Sequence, residues 1–126
     1  MTIAYWCVLV AALLPLALVT YAKIGVPSDN RTPREDYENL PPAKRRAYAA
    51  HQNGYENFPF FAAAIIIASV SNASGLLLNI LAVAYVVVRV VHGLLYINDQ
   101  PSFRSLSYTV GLFINIAIFV LPAFRA

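Results

Sequence analysis

The stretch that decides the fold is residues 58–88, FPFFAAAIIIASVSNASGLLLNILAVAYVVV. It holds two uncharged apolar runs, 58–70 and 76–88, each 13 residues long, on either side of the polar turn 71–75. Thirteen residues are too few to cross a hydrocarbon core, which needs roughly 20 in a helix. A five-residue connection between two apolar helices makes a helical hairpin, so each helix must gain its length by growing away from the turn. Helix 2 then takes in Glu56, Asn53 and His51. Helix 3 takes in Arg89, His92 and Tyr96. Length alone pulls polar side chains into the membrane.

Outward from the hairpin the pattern continues. Residues 1–22 carry no charge and are long enough to span. A secretory signal is the rival reading, but there is no basic leading segment and the apolar run is too long. Pro15 should kink this helix, which membrane helices tolerate. Residues 103–123 form a fourth apolar segment, with Arg104 at its start. The expected architecture is all-α: one membrane domain of four helices, about 1–22, 46–70, 76–97 and 103–123, with a polar loop at 23–45. Composition agrees. Hydrophobic residues make up 60% and charged residues 12%, about half the charge of soluble domains, and a core this small could not hide that much apolar surface.

Six of the nine Lys and Arg fall between positions 23 and 46. That bias marks a cytoplasmic loop by the positive-inside rule and argues against nucleic acid as a partner. Both chain ends and the 71–75 turn then face the other side. The single cysteine, Cys7, excludes an internal disulfide. Two histidines on different helices and one remote cysteine do not make a metal site.

Counting from the turn at 1.5 Å per residue puts Glu56 and Arg89 within about 3 Å in depth. A structural ion pair between them is therefore expected. The same count sets His92 beside Asn53 or Gly54, Arg104 level with Tyr96, and Tyr108 level with His92. Arg89, His92 and Tyr96 are spaced i, i+3, i+7 and should share a face. Ionisable groups at such depth face protein or a water-filled cavity. For His51, His92, Asn53 and Asn57, interhelical hydrogen bonds and ligand contact are both open. Arg104 has no acid in its own helix, so an anionic ligand or lipid headgroup is its natural partner. Ser105 and His92 could be pictured as nucleophile and base, but nothing supplies an oxyanion hole.

Three segments carry a family resemblance. RAYAAHQNGYENFPF at 46–60, RVVHGLLY at 89–96 and RSLSY at 104–108 resemble, in order, the motifs of helices 2, 3 and 4 in MAPEG proteins, the membrane-associated proteins of eicosanoid and glutathione metabolism, here of bacterial type. The resemblance implies a homotrimer binding glutathione as co-substrate in the cytoplasmic half of the membrane, expected to be the bacterial inner membrane. Its implied binding residues are Asn53, Glu56, His92, Tyr96, Arg104 and Tyr108. Arg104, with Ser105 adjacent, would stabilise the glutathione thiolate, which would act on a hydrophobic substrate dissolved among membrane lipids. The implied activity is that of a glutathione-dependent transferase or peroxidase. Several relatives have arginines where this chain has Ala49 and Gln52, with Lys23, Lys44 and Arg45 as candidate replacements. The alternative reading is a non-catalytic trimer that binds lipid or scaffolds a membrane complex.

The topology is testable in a Cys7→Ser background. Single cysteines at Ser28 and Ser74 should react with an impermeant maleimide from opposite sides of the membrane; labelling from the same side contradicts the orientation.

Overall fold

The computed structural model describes residues 1–27 and 29–124, with 35 and 36 described by backbone only. Ser28, one of the two labelling positions, lies outside the described residues. Four helices follow one another: α1 (Ile3–Lys23), α2 (Pro42–Val70), α3 (Leu76–Ile97) and α4 (Pro101–Val120), the last closed by a 3-10 turn at Leu121–Phe124. α1 runs unbroken through Pro15. α2 begins at Pro42, before the expected position 46. Pro42 occupies the first helical turn, where its missing N–H costs nothing. The 23–45 loop is not featureless: it contains a 3-10 turn at Glu35–Asn39, and Leu40 and Tyr48 pack with Ala22 and Ala47 in a small apolar cluster.

Both tight connections are built the same way. After α2, Asn72 takes a left-handed conformation at φ 62°, and Ala73 N donates back to Ala68 O at 2.9 Å. After α3, Asp99 does the same at φ 56°, and Gln100 N donates to Leu95 O at 3.0 Å. These are Schellman endings, which satisfy carbonyls that a helix end otherwise leaves open. Asn and Asp tolerate left-handed backbone better than other side chains.

α1, α3 and α4 are each long and apolar enough to cross a membrane. α2 does not qualify by composition, because its first half carries Lys44, Arg45, Arg46, His51, Asn53 and Glu56. Its 29 residues still reach about 43 Å, and it lies antiparallel along all of α3. Phe61 stacks on Tyr85 at 4.1 Å near the middle, and Arg46 Nε donates to Ile97 O at 3.0 Å at the far end. The Arg46 cation also sits where the α3 dipole is negative.

Small residues dominate the contacts between helices. Ala4, Cys7 and Ala11 of α1, Ala64 and Ala68 of α2, and Ala82 of α3 are buried in one core with Phe61, Ile65, Leu78 and Ile118. Large aliphatic and aromatic side chains such as Leu9, Leu13, Ile66, Ile80, Val87 and Phe113 point outward and are exposed. That arrangement suits lipid outside and close backbone approach inside. α1 and α4 lie on opposite sides, separated by α2 and α3.

α1 packs tightly against α2 at Gly54, where an added Cβ would stand 2.8 Å from Pro15 Cγ. The proline ring cannot swing aside. Gly54→Ala should therefore destabilise the solubilised protein by ~1–3 kcal/mol. Gly111→Ala, whose nearest neighbour would be Val88 at 3.6 Å, should be neutral or mildly stabilising. Thermal unfolding in detergent separates the two; equal melting temperatures would contradict the packing.

Candidate functional site

At the end of the bundle remote from the 71–75 turn, α2, α3 and α4 enclose a polar cavity of about 290 Å³, open on one side. Asn53 of α2, His92 and Tyr96 of α3, and Arg104, Ser105, Tyr108 and Thr109 of α4 line it. Helical spacing puts each set on one face: His92 and Tyr96 at i, i+4, and the α4 residues at i, i+1, i+4, i+5.

Aromatic rings organise the wall. The Arg104 guanidinium lies over the Tyr96 ring at 4.6 Å, within range for a cation–π contact. His92 meets Tyr96 edge-on at 5.7 Å and Tyr108 at 6.3 Å. No acidic side chain pairs with Arg104 among the described residues. His92 is 2% exposed, and its Nδ1 is buried with no hydrogen-bond partner. An orphaned buried nitrogen of this kind costs free energy, and this one is sealed in, on a side chain that lines the cavity.

Thr109 is the lining residue that the sequence analysis does not single out. Its hydroxyl donates to Ser105 O at 3.0 Å, one turn back. The polar stripe Arg104, Ser105, Tyr108, Thr109 along one face of α4 is the signal that points to it.

Among the described residues Glu56 and Arg89 form no ion pair. The Arg89 guanidinium donates instead to Asn53 Oδ1 at 2.7 Å, and no acid lies within ion-pair distance of it among the described residues. The two residues match in depth but not in azimuth. Glu56 lies about 60° round α2 from Asn53, on the exposed stripe with Phe60, Ala63 and Ile67. Asn53 and Asn57 continue the inward stripe of Phe61, Ala64 and Ala68. Glu56 therefore stands outside the cavity, and Arg89 is 7% exposed, turned toward α1 among Ala11, Pro15, Gly54 and Tyr85.

His51 is also structural here: its Nδ1 bonds the Pro15 carbonyl oxygen at 2.8 Å, and a carbonyl only accepts, so this nitrogen carries the proton. Lys23 Nζ donates to Pro33 O at 2.7 Å, Lys44 to Ile24 O and Arg45 to Glu38 O. All three are held in the loop, and none lines the cavity. Ala49 is half-buried and Gln52 exposed; neither lines it either. Among the described residues no three His, Cys, Asp or Glu side chains gather as a metal site.

Helices with an apolar exterior, small residues between them and a polar-lined cavity near one end define a four-helix integral membrane protein. The chain matches the MAPEG family over residues 3–124, and it belongs to that family. Membership places it in a glutathione-related family of membrane enzymes. No curated protein and no solved structure matches the chain.

Two double-mutant cycles separate the contacts of Arg89. Arg89→Leu and Asn53→Leu should be non-additive in thermal stability by about 0.5–3 kcal/mol. Arg89→Leu and Glu56→Gln should add. Additivity in the first cycle, or coupling in the second, would contradict the arrangement.

Proposed function

We propose that this MAPEG protein is a glutathione-dependent transferase or peroxidase acting on lipophilic electrophiles or lipid hydroperoxides within the membrane. The observation that carries the reading is Arg104. It is a cation with no acidic partner among the described residues, held over Tyr96 at the edge of a cavity that Ser105 and Tyr108 also line. A cation beside a bound thiol in a site of low dielectric favours the thiolate, and the thiolate is the nucleophile. Arg104 is thus the group that stabilises sulfur as an anion, and the Ser105 hydroxyl beside it donates a hydrogen bond to the same atom. Asn53, His92, Tyr96 and Tyr108 bind the rest of the tripeptide.

The thiol proton leaves to solvent through the open side of the cavity. With an electrophilic carbon, the sulfur electron pair forms a C–S bond while the leaving group departs with its pair. With a hydroperoxide, sulfur attacks the outer oxygen and the O–O bond breaks. The lipid alkoxide takes a proton and becomes an alcohol, and sulfur becomes a sulfenic acid. A second glutathione reduces that to the disulfide and water.

The homotrimer belongs to this proposal. Ser105, Tyr108 and Thr109 are exposed in the single chain, and Glu56 would meet the ligand only where a neighbouring copy closes the open face. So does the orientation, with the 23–45 loop and the cavity on the cytoplasmic side of a bacterial inner membrane. The second reading, a non-catalytic trimer, is favoured by Ala49 and Gln52, which offer no guanidinium for the glutathione carboxylates. Lys23, Lys44 and Arg45 bond to backbone carbonyls and do not line the cavity within the chain.

Adding glutathione to the purified protein should produce the ultraviolet difference absorbance of a thiolate. Arg104→Leu should abolish it and lower conjugation of a model electrophile by about a hundredfold or more, a loss of ~2.7 kcal/mol or more of transition-state stabilisation, while the protein stays folded. A wild type that neither binds millimolar glutathione nor forms thiolate would sink the enzymatic reading in favour of the scaffold.

A further inference from the structure

Asn53 stands between two surroundings. On one side it lines the polar cavity with Arg104 and Ser105. On the other, its Oδ1 accepts from Arg89 Nη2 at 2.7 Å and from Asn57 Nδ2 at 3.3 Å. Asn57 Nδ2 also donates to the Asn53 backbone carbonyl at 2.8 Å, which fixes that neighbour in place. A guanidinium has five N–H donors and no acceptor. The amide atom that faces Arg89 must therefore be the oxygen, and with two donors on it the oxygen has little left to offer.

The nitrogen is the end left over. Among the described residues the only buried side-chain polar atoms without partners are His92 Nδ1 and Asn115 Oδ1. Asn53 Nδ2, which makes no hydrogen bond among those residues, is thus open rather than sealed in. Arg89 does not line the cavity; it reaches Asn53 from the α1 side. Among the described residues no acid competes for it.

We propose that Arg89 is a positioning residue: it holds the Asn53 amide so that Nδ2, and not Oδ1, is offered to the cavity, which tunes the site for an anionic group of the bound thiol, a carboxylate or the thiolate. This rests on the glutathione reading of the cavity. Released from Arg89, the amide oxygen keeps only the longer bond from Asn57 Nδ2 at 3.3 Å, and the amide presents its oxygen to the anion for part of the time. That orientation repels the ligand where the other donates to it. A buried cation with no carboxylate partner among the described residues is costly in a membrane, and its one side-chain hydrogen bond among them goes to the single amide in the cavity wall.

The test measures glutathione dissociation constants and steady-state kinetics for the solubilised wild type, Arg89→Met, Asn53→Ala and the double variant. Each single change should raise the dissociation constant and KM for glutathione by about tenfold, as loss of a hydrogen bond to a charged group does. The double variant should bind no worse than Asn53→Ala alone, and Arg89→Met should keep its kcat at saturating glutathione within about twofold. Arg89→Lys, which retains a donor, should recover most of the affinity. A purely structural Arg89 would lower the melting temperature without moving KM, or would weaken binding additively with Asn53→Ala; either result overturns the positioning role. Should Arg89→Met fail to fold, Asn53→Asp decides. It keeps an acceptor for Arg89 but replaces the nitrogen by a second oxygen, so it should be as stable as the wild type and bind glutathione at least about tenfold more weakly. Wild-type affinity in Asn53→Asp overturns the proposal. If the wild type itself does not bind glutathione, the functional reading falls and this inference with it. If the wild type binds and Arg89→Met binds equally, only the positioning role falls.

Discussion

The five-residue turn at 71–75 sets the register of α2 on α3, and the rest of the molecule is arranged around that register. Once Ala73 N is bonded back to Ala68 O, the two helices leave the turn side by side. Phe61 then falls against Tyr85, Asn53 against Arg89, and the start of α2 against the end of α3. Apolar residues fill the half of the hairpin nearest the turn. The polar residues that length draws into the other half have no water to satisfy them there, so they must bond to each other or to something bound. Arg89 finds Asn53, His51 finds the Pro15 carbonyl, and His92 Nδ1 finds no partner among the described residues. The cavity is what remains when those demands are only partly met.

Depth along the helices is legible from the amino-acid sequence, because it follows from residue counts and a fixed rise. Arg104 beside Tyr96 and Tyr108 beside His92 are expected on those grounds, and the rings do meet. Azimuth is harder to read in the polar half of α2, where Gln52, Asn53, Glu56 and Asn57 interrupt the apolar stripe. Carrying the buried position of Phe61 back by four and eight residues leads to Asn57 and Asn53, whereas Glu56 shares the exposed stripe of Phe60, Ala63 and Ile67. Matched depth and opposite charge point to a Glu56–Arg89 pair, and that periodic signal overrules them. The early start of α2 has a similar origin: Lys44 and Arg45 read as loop, whereas Pro42 is the better marker of the helix start. The capture of Lys23, Lys44 and Arg45 by carbonyls is not legible at all, since any basic side chain can find a carbonyl and no pattern says which.

The division of labour between two arginines follows from their surroundings. Arg104 is half-buried at the mouth of α4, has no acidic partner among the described residues, and faces the space a ligand would fill. Arg89 is sealed between α1, α2 and α3 and reaches that space only through Asn53. The first suits direct stabilisation of an anion, the second the orientation of a neutral donor. On the proposed reading the anion is a thiol, and Ala49 and Gln52 offer no guanidinium to its carboxylates. The two observations act on different parts of the ligand, so weaker binding is compatible with intact thiolate chemistry.

The central claim is that the cavity takes a thiol and holds it as its anion. Proton release tests it most directly. A free thiol is largely protonated at neutral pH, so binding as thiolate must expel a proton to the buffer. Titration calorimetry of glutathione into the protein, repeated in two buffers of different ionisation enthalpy at pH 7, counts that proton. The account predicts release of about one proton per glutathione bound. Binding with no proton release would contradict it.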